Sequence, residues 1–464
     1  MPPTHRAPLI FSALFSRQVV CQNFDRRGWT RTEGDDYNVF WATVQTVKYL
    51  FEPSNGIRLA DSQLICHFPN HYELTRKDLM VKNIKRYYKE QAKLGIMVED
   101  FLPVTYLLPA DYSLFVEEFR REGEIAQAAA LQEAALQEQE DGNGGGGGTA
   151  GGGSGGAAAA ATEEKDTLDG NDDKGASKDG NVMWIMKPSN RAQGKGIFII
   201  NKLQQITKWS KGRWGKDAQE TYVVSRYIDN PLLIGGRKFD LRIYVLVTSF
   251  RPLRMYLGDG FARFCTVKYD TDISEIDNPF IHLTNVSLQK HSADYNNEHG
   301  GKWNVTNLRL FLESTRGLKA TEVLFQKIDD LLVHSARAVQ NVMINDRHCF
   351  ECYGYDLLLD GDLRPWLIEV NASPSLTTTT AQDKEMKTTL IRDVLDIVVP
   401  EEINGLLAEG GFKGANSLGP CFDKGDFVVL YDEAAEKERE ERGEEKGRRG
   451  SAMGRLANRG REWK

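Results

Sequence analysis

Three oxygen-bearing side chains, Asp356, Glu369 and Asn371, stand on two apolar runs, YDLLLD at 355–360 and WLIEV at 366–370. Glu369 and Asn371 are two residues apart, so on a strand both leave the same face. Both runs have strand composition, and the intervening DGDLRP carries turn chemistry. A tight turn at Asp360-Gly361 would oppose Asp356 with Pro365, which cannot donate to a ladder. A wider loop over 360–365 opposes Asp356 with Glu369 instead. Three hard oxygen ligands then share one patch of sheet. Such a set suits Mg²⁺ held by one or two carboxylates plus substrate phosphates. A solvated hairpin face with scattered acids is the competing reading of this segment.

A second group of candidates lies upstream. WIMKPSNRAQGKGIFII, residues 184–200, reads strand, turn, glycine loop, strand. Lys187 ends the first strand, and Gln193-Gly194-Lys195-Gly196 could let backbone N–H groups close over phosphates. IFII is apolar and branched, so the loop joins two strands instead of opening a helix. That argues against a P-loop or a Rossmann turn. A lid carrying two lysines fits a clamp over a triphosphate. TYVVSRYI, 221–228, reads as a strand whose exposed backbone could hydrogen-bond a purine edge. In RKFDLRIYVLV, 237–247, Phe239, Leu241, Ile243 and Val245 share one face; Asp240, Arg242 and Tyr244 share the other. Asp240 and Arg242 form either a structural ion pair or, with Lys238, groups that serve ribose and phosphate. Arg263, Thr284, Asn285 and Lys290 are further candidates. No Ser-His-Asp or Cys-His arrangement stands out, so hydrolysis through a protein nucleophile has no support. Lys187 and Asp356 are expected to face solvent, so losing either should stop turnover without unfolding the chain.

The elements that must position these groups need more than one core, since 464 residues imply two or three subdomains. Net charge is −7, but residues 117–180 carry 15 acids against 5 bases, which leaves the remainder at +3. A mildly basic folded part suits an acidic partner. Six cysteines without a repeating framework point to reduced thiols and a cytosolic setting. Cys349-x-x-Cys352 lacks a second pair, so zinc is not expected. LIFSALF near the N-terminus has no small-residue cleavage site after it, so no secretion signal is expected. No apolar stretch reaches the roughly 18 residues of a membrane span, and thin aromatic interleaving argues against nucleic acid.

Helices are expected over 36–52 and over 75–95, the second capped by Thr75 with Asp78 in its first turn. Met80, Ile84, Tyr87, Tyr88 and Gln91 trace one stripe of the second helix. Lys82, Lys85, Arg86, Lys89 and Lys93 trace a basic stripe, either a wetted face or a landing strip for an acidic polymer. From 123 to 180 the chain passes through Ala/Gln/Glu repeats, glycine and alanine runs and acidic residues, the composition of a disordered insertion.

The stretches FPNHYELTRKDLMVKNIKRYYKE, WIMKPSNRAQGKGIF, LIGGRKFDLRIYVLV, HLTNVSLQKH and YGYDLLLDGDLRPWLIEVNASPSL resemble the tubulin tyrosine ligase-like family, above all its short polyglutamylase catalytic subunits. The resemblance covers roughly residues 19–122 and 181–400. It implies an α+β, ATP-grasp fold with ATP held between the antiparallel sheets of two lobes. The expected organisation, with the lead, insertion and tail read from composition and without counterpart in the family, is an unstructured lead at 1–18, an N-terminal α/β subdomain at 19–100, and a central ATP-grasp subdomain at 101–228 that carries the insertion. A catalytic subdomain follows at 229–400, then a charged, mostly disordered tail at 401–464.

By motif position the resemblance gives ATP contacts to Lys187, Gln193, Gly194, Ser225, Arg226, Tyr227, Ile228, Lys238, Asp240, Thr284 and Asn285. It gives the incoming glutamate to Arg263 and Lys290, the transferring phosphoryl group to Arg242, and Mg²⁺ to Asp356, Glu369 and Asn371. The implied reaction is ATP-dependent addition of glutamate to γ-carboxylates in acidic tubulin tails, inside a complex with accessory subunits, at microtubules and cilia. A glycine or tyrosine ligase of the same family and a non-catalytic microtubule-binding scaffold stay open as alternatives.

Overall fold

The computed structural model describes residues 9–14, 18–142, 182–191, 194–206, 221–270, 275–295, 301–400, 421–443 and 451–459. Three sheets organise them. The first is parallel, in the order β2-β1-β3-β4, from β1 (Ile10–Ala13), β2 (Thr30–Arg31), β3 (Val39–Trp41) and β4 (Leu64–Ile65). Helices α1 (Gln18–Arg26) and α2 (Val44–Leu50) accompany it. The lead expected to be unstructured therefore contains a strand. The helix expected over 36–52 is also divided: Val39, Phe40 and Trp41 are all buried and extended, as apolar runs in parallel sheets are. Helix begins only after Thr43, whose hydroxyl caps the Thr46 N–H at 3.2 Å.

Next come α3 (Tyr72–Thr75) and α4 (Lys77–Lys93). Thr75 does not cap α4. Its hydroxyl pairs with His71 Nδ1 at 2.9 Å, and the extended Arg76 starts the second helix without a side-chain cap. Asp78 does sit in the first turn, held by Arg76 Nε at 2.8 Å. Met80, Ile84 and Tyr87 enter the main core. The basic stripe divides: Lys82, Lys89 and Lys93 are exposed or half-exposed at the surface, whereas Lys85 donates to the Thr105 carbonyl and Arg86 to that of Ala338.

The second sheet is antiparallel, order β5-β8-β6-β7, from β5 (Thr105–Leu108), β6 (Trp184–Pro188), β7 (Phe198–Ile200) and β8 (Tyr222–Arg226). Its helix α5 (Tyr112–Gly142) runs past the expected start of disorder at 123. Ala, Gln and Glu are strong helix formers, and their repeats here continue a docked helix. Residues 143–180 of that insertion lie outside the described residues. β8 has a partner on each side, so its backbone is not free for a purine before Arg226.

Further along come β9 (Leu233–Ile234), β10 (Arg237–Phe250), β11 (Leu253–Phe264), the short helices α6 (Pro279–His282) and α7 (Val286–Gln289), and β12 (Lys302–Asn304). Helices α8 (Val305–Arg316) and α9 (Leu318–Gln340), strands β13 (Glu351–Leu359) and β14 (Pro365–Asn371), and helix α10 (Ala381–Val398) follow. The tail region, expected to be mostly disordered, adds β15 (Val428–Asp432), α11 (Glu433–Glu441) and α12 (Ala452–Arg459). These strands make a seven-stranded antiparallel sheet, β12-β11-β10-β13-β14, with β15 on β11 and β9 on β10. One face, with Phe239, Leu241, Ile243 and Val245, shares a core with α4, α8, α9 and α12. The tail is recruited because Phe427 and Val428 are apolar and because the buried Asp329 accepts the N–H groups of Ala452 (2.6 Å) and Met453 (3.1 Å). The flanking charged runs hide this signal. Main-chain bonds also join the first sheet to the third: Ile65 N–H donates to His348 at 2.7 Å and Ile65 C=O accepts from Phe350 at 3.0 Å.

Candidate active site

The hairpin β13–β14 has the wide-loop register. Asp356 opposes Glu369, Gly354 opposes Asn371, and Pro365 opposes Leu359, with a bulge next to Asp356. Asp360 fixes the loop: its carboxylate accepts from the N–H of Asp362 (3.1 Å) and Arg364 (2.8 Å) and from Trp366 Nε1 (2.9 Å). Leu363 takes up the strain at φ 58°.

Register across β10 and β11 extends the polar row. Arg242 opposes Asp356, and Asp240 opposes Arg263. The ion pairs follow these cross-strand positions and not the Asp240–Arg242 adjacency that the sequence suggests. Arg242 donates to both Asp356 oxygens at 2.5 and 2.9 Å. Arg263 grips Asp240, with Nε–Oδ1 at 2.8 Å, and reaches Asp356 Oδ2 at 3.0 Å. Burial alone would raise the Asp356 carboxyl; the two guanidiniums overcome this and hold it well below the ordinary carboxylate range. Asp356 is only 2% exposed and Lys187 only 9%. The expectation that both face solvent is therefore wrong. They are inside because the smaller antiparallel sheet covers this end of the larger one.

A cleft with about 1090 Å³ of non-atom space, its open mouth included, lies between these sheets. Most of the candidates read from sequence line it: Lys187, Gly194, Ser225, Arg226, Tyr227, Ile228, Lys238, Asp240, Thr284, Asn285, Asp356 and Glu369. Met80, Val81, Leu102, Ile185, Val223, Leu358 and Leu367 give it apolar walls. Gly194 has φ 76°, and a Cβ there would come within 3.3 Å of Asn285 Oδ1, so the glycine loop and the HLTN loop approach closely. Lys187 and Lys238 are each lowered to about 8, first by burial. Nearby Glu369 pulls Lys187 back up, and Lys77 pushes it down.

Arg242, Arg263, Asn371 and Lys290 do not line the cleft. The two arginines sit beside it, engaged by its acids. Asn371 touches Glu369 Oε1 through Nδ2 at 3.3 Å. Lys290 is exposed just after α7. Gln193 lies outside the described residues. Sequence reasoning passes over Lys77, whose Nζ lies 2.9 Å from Glu369 Oε2 across the cleft. A lysine in the first turn of a helix opposes the helix dipole, and that mismatch is the available signal. His282 of the cleft wall escapes it as well.

Among the described residues no group of three or more His, Cys, Asp or Glu could hold a metal. The donor set to test is therefore two carboxylates and an amide. It is chemically suited to a hard cation: a carboxylate offers about four lone-pair positions, and Asp356 gives three contacts to arginine N–H groups.

Acidic strand residues stand against desolvated lysines in a sheet-lined cleft. The family is identified by comparison: the tubulin-tyrosine ligase family model matches residues 57–137 and 158–405, and the chain belongs to that family. The chain is 46% identical over 443 residues to the probable alpha-tubulin polyglutamylase Ttll1 of Tetrahymena thermophila, covering 91% of this chain and 92% of that protein. It is 39% identical over 394 residues to the probable tubulin polyglutamylase ttll-9 of Caenorhabditis elegans (84% and 80% covered). Against the probable tubulin polyglutamylase TTLL9 of Bos taurus it is 38% identical over 430 residues (85% and 80%).

Proposed function

We propose that this chain is an ATP- and Mg²⁺-dependent ligase that adds glutamate to the γ-carboxylates of glutamates in the acidic tails of tubulin. The observation that carries the reading is the gathering of Lys187, Lys238, Asp356 and Glu369 in one cleft, in a chain so similar to proteins named as polyglutamylases. In this reading the fold is an ATP-grasp, with the base of ATP between the apolar walls and its phosphates under Lys187, Lys238 and the Gly194 loop. Gln193, Ser225 to Ile228, Asp240, Thr284 and Asn285 complete the nucleotide contacts.

Asp356, Glu369 and Asn371 would hold Mg²⁺, which lowers the charge on the phosphates as a bond to one of them breaks. Amide formation from a carboxylate needs a leaving group. A carboxylate oxygen of the tubulin glutamate takes the γ-phosphoryl group, and ADP leaves. The amine of free glutamate then attacks the acyl carbon and releases phosphate. Arg242, held by Asp356, steadies the phosphoryl oxygens, and Arg263 with Lys290 receives the carboxylates of the incoming glutamate. The surface lysines of α4 supply part of the grip on the acidic tail. Accessory subunits would supply the rest, at microtubules of the cytoplasm, cilium and basal body.

The test combines purified chain with candidate partners, tubulin, ATP-Mg²⁺ and labelled glutamate. ATP-dependent labelling of tubulin is the expected result. No label above a buffer control rejects the proposal, and labelling only from glycine or tyrosine moves the assignment to a sister activity. Glu369→Gln separates an enzyme, which it silences, from a scaffold, which it leaves intact.

A further inference from the structure

His282 closes α6 on the wall of the cleft, and its ring makes two hydrogen bonds whose directions can be worked out. Nε2 lies 3.1 Å from the Glu275 carbonyl oxygen, which can only accept, so Nε2 carries the proton. Nδ1 is then an acceptor, and the Tyr227 hydroxyl, 2.9 Å away, must donate to it. That leaves the Tyr227 oxygen to accept from Lys238 Nζ, also at 2.9 Å. The chain of bonds runs from Lys238 through Tyr227 and His282 to a main-chain carbonyl, beside the Tyr269 hydroxyl, which neighbours Tyr227 and donates to the Asp229 carbonyl at 3.0 Å.

The rings reinforce the direction. Lys238 Nζ sits 4.4 Å from the centroid of the Tyr227 ring, and the Tyr227 and His282 rings meet edge-on at 83°. Burial, and then the positive charge of Lys238, lower His282 to about 4, so it stays neutral and keeps Nδ1 as an acceptor. Burial also pushes the Tyr227 phenol well above its ordinary value, so it stays a donor.

We propose that His282 is a positioning residue for nucleotide binding: through Tyr227 it fixes where the Lys238 ammonium points in the cleft. This rests on the nucleotide reading above, and the test keeps the two apart. Binding of a fluorescent ATP analogue is measured on the full chain, with melting curves to confirm folding. Lys238→Met is the control for the reading itself; if it binds as tightly as the parent, Lys238 does not meet the nucleotide and the reading of the cleft fails. With that control weakened, His282→Ala should weaken binding by up to roughly tenfold, the upper end of what losing one neutral hydrogen bond costs. His282→Gln, which keeps an acceptor and a donor, should recover most of it.

The bonds act in series, so Tyr227→Phe and His282→Ala together should lose no more than the larger single loss. KM for ATP should rise more than kcat falls. Parent-like binding by His282→Ala, or fully additive losses in the double variant, overturns the proposal while leaving the nucleotide reading standing.

Discussion

The acid–arginine row and the lysine pair of the cleft carry charge in opposite conditions. In the row, Asp240, Arg263, Asp356 and Arg242 neutralise one another inside the protein. In the pair, Lys187 at the end of β6 has no carboxylate within ion-pair distance among the described residues. Lys238 at the start of β10 rests on a hydroxyl and aromatic rings. The row is a settled network that removing one member would damage. The pair holds an unmet demand for negative charge, which a polyanion can answer.

Asp356→Ala tests the contrast most severely. It strands the buried Arg242 guanidinium and leaves Arg263 with Asp240 alone, so turnover should vanish and stability should fall by about 3–5 kcal/mol in a denaturant titration. Lys187→Ala should also abolish turnover, yet leave stability unchanged or raised, within about 1 kcal/mol, because it removes a desolvated charge. Equal destabilisation by the two variants would erase the distinction between row and pair.

The hairpin register and the polar face of β10 are legible in the sequence because they depend on local rules: a two-residue period and a proline that cannot donate. The partners of the arginines are not, since Arg242–Asp356 spans 114 positions and follows strand order. Lys77 escapes for the same reason. The tail reads as disordered because charged flanks dilute the short apolar run Phe427–Val428. A reading by composition likewise cuts α5 short, where helix propensity carries it on.

pH sharpens the contrast. Lys187 and Lys238 have folded-state values of about 8, below the ordinary lysine value of 10.5. Between these values the unfolded chain binds more protons, so their contribution makes stability rise with pH through that window. Nucleotide affinity, which needs the ammonium form, should fall through the same window. Asp356 works at the other end: its depressed folded value stabilises above the ordinary carboxylate range, and that contribution is lost on acidification. Denaturant midpoints and analogue binding measured side by side should diverge on the alkaline side, and Lys187→Ala should flatten both slopes.

The smallest effect belongs to the surface of α4. Lys82→Ala with Lys89→Ala should weaken microtubule co-pelleting about twofold to threefold at low salt and less at high salt. An unchanged pellet would make that stripe a wetted face.

The backbone exchange between Ile65 and the His348–Phe350 segment has a mechanical result. It rivets the N-terminal sheet to the one that bears Asp356 and Glu369, so these two move as a unit. The acids of β13 and β14 thus have the N-terminal sheet fastened behind them, whereas Lys187 and Gly194 belong to a separate four-stranded sheet and its loop.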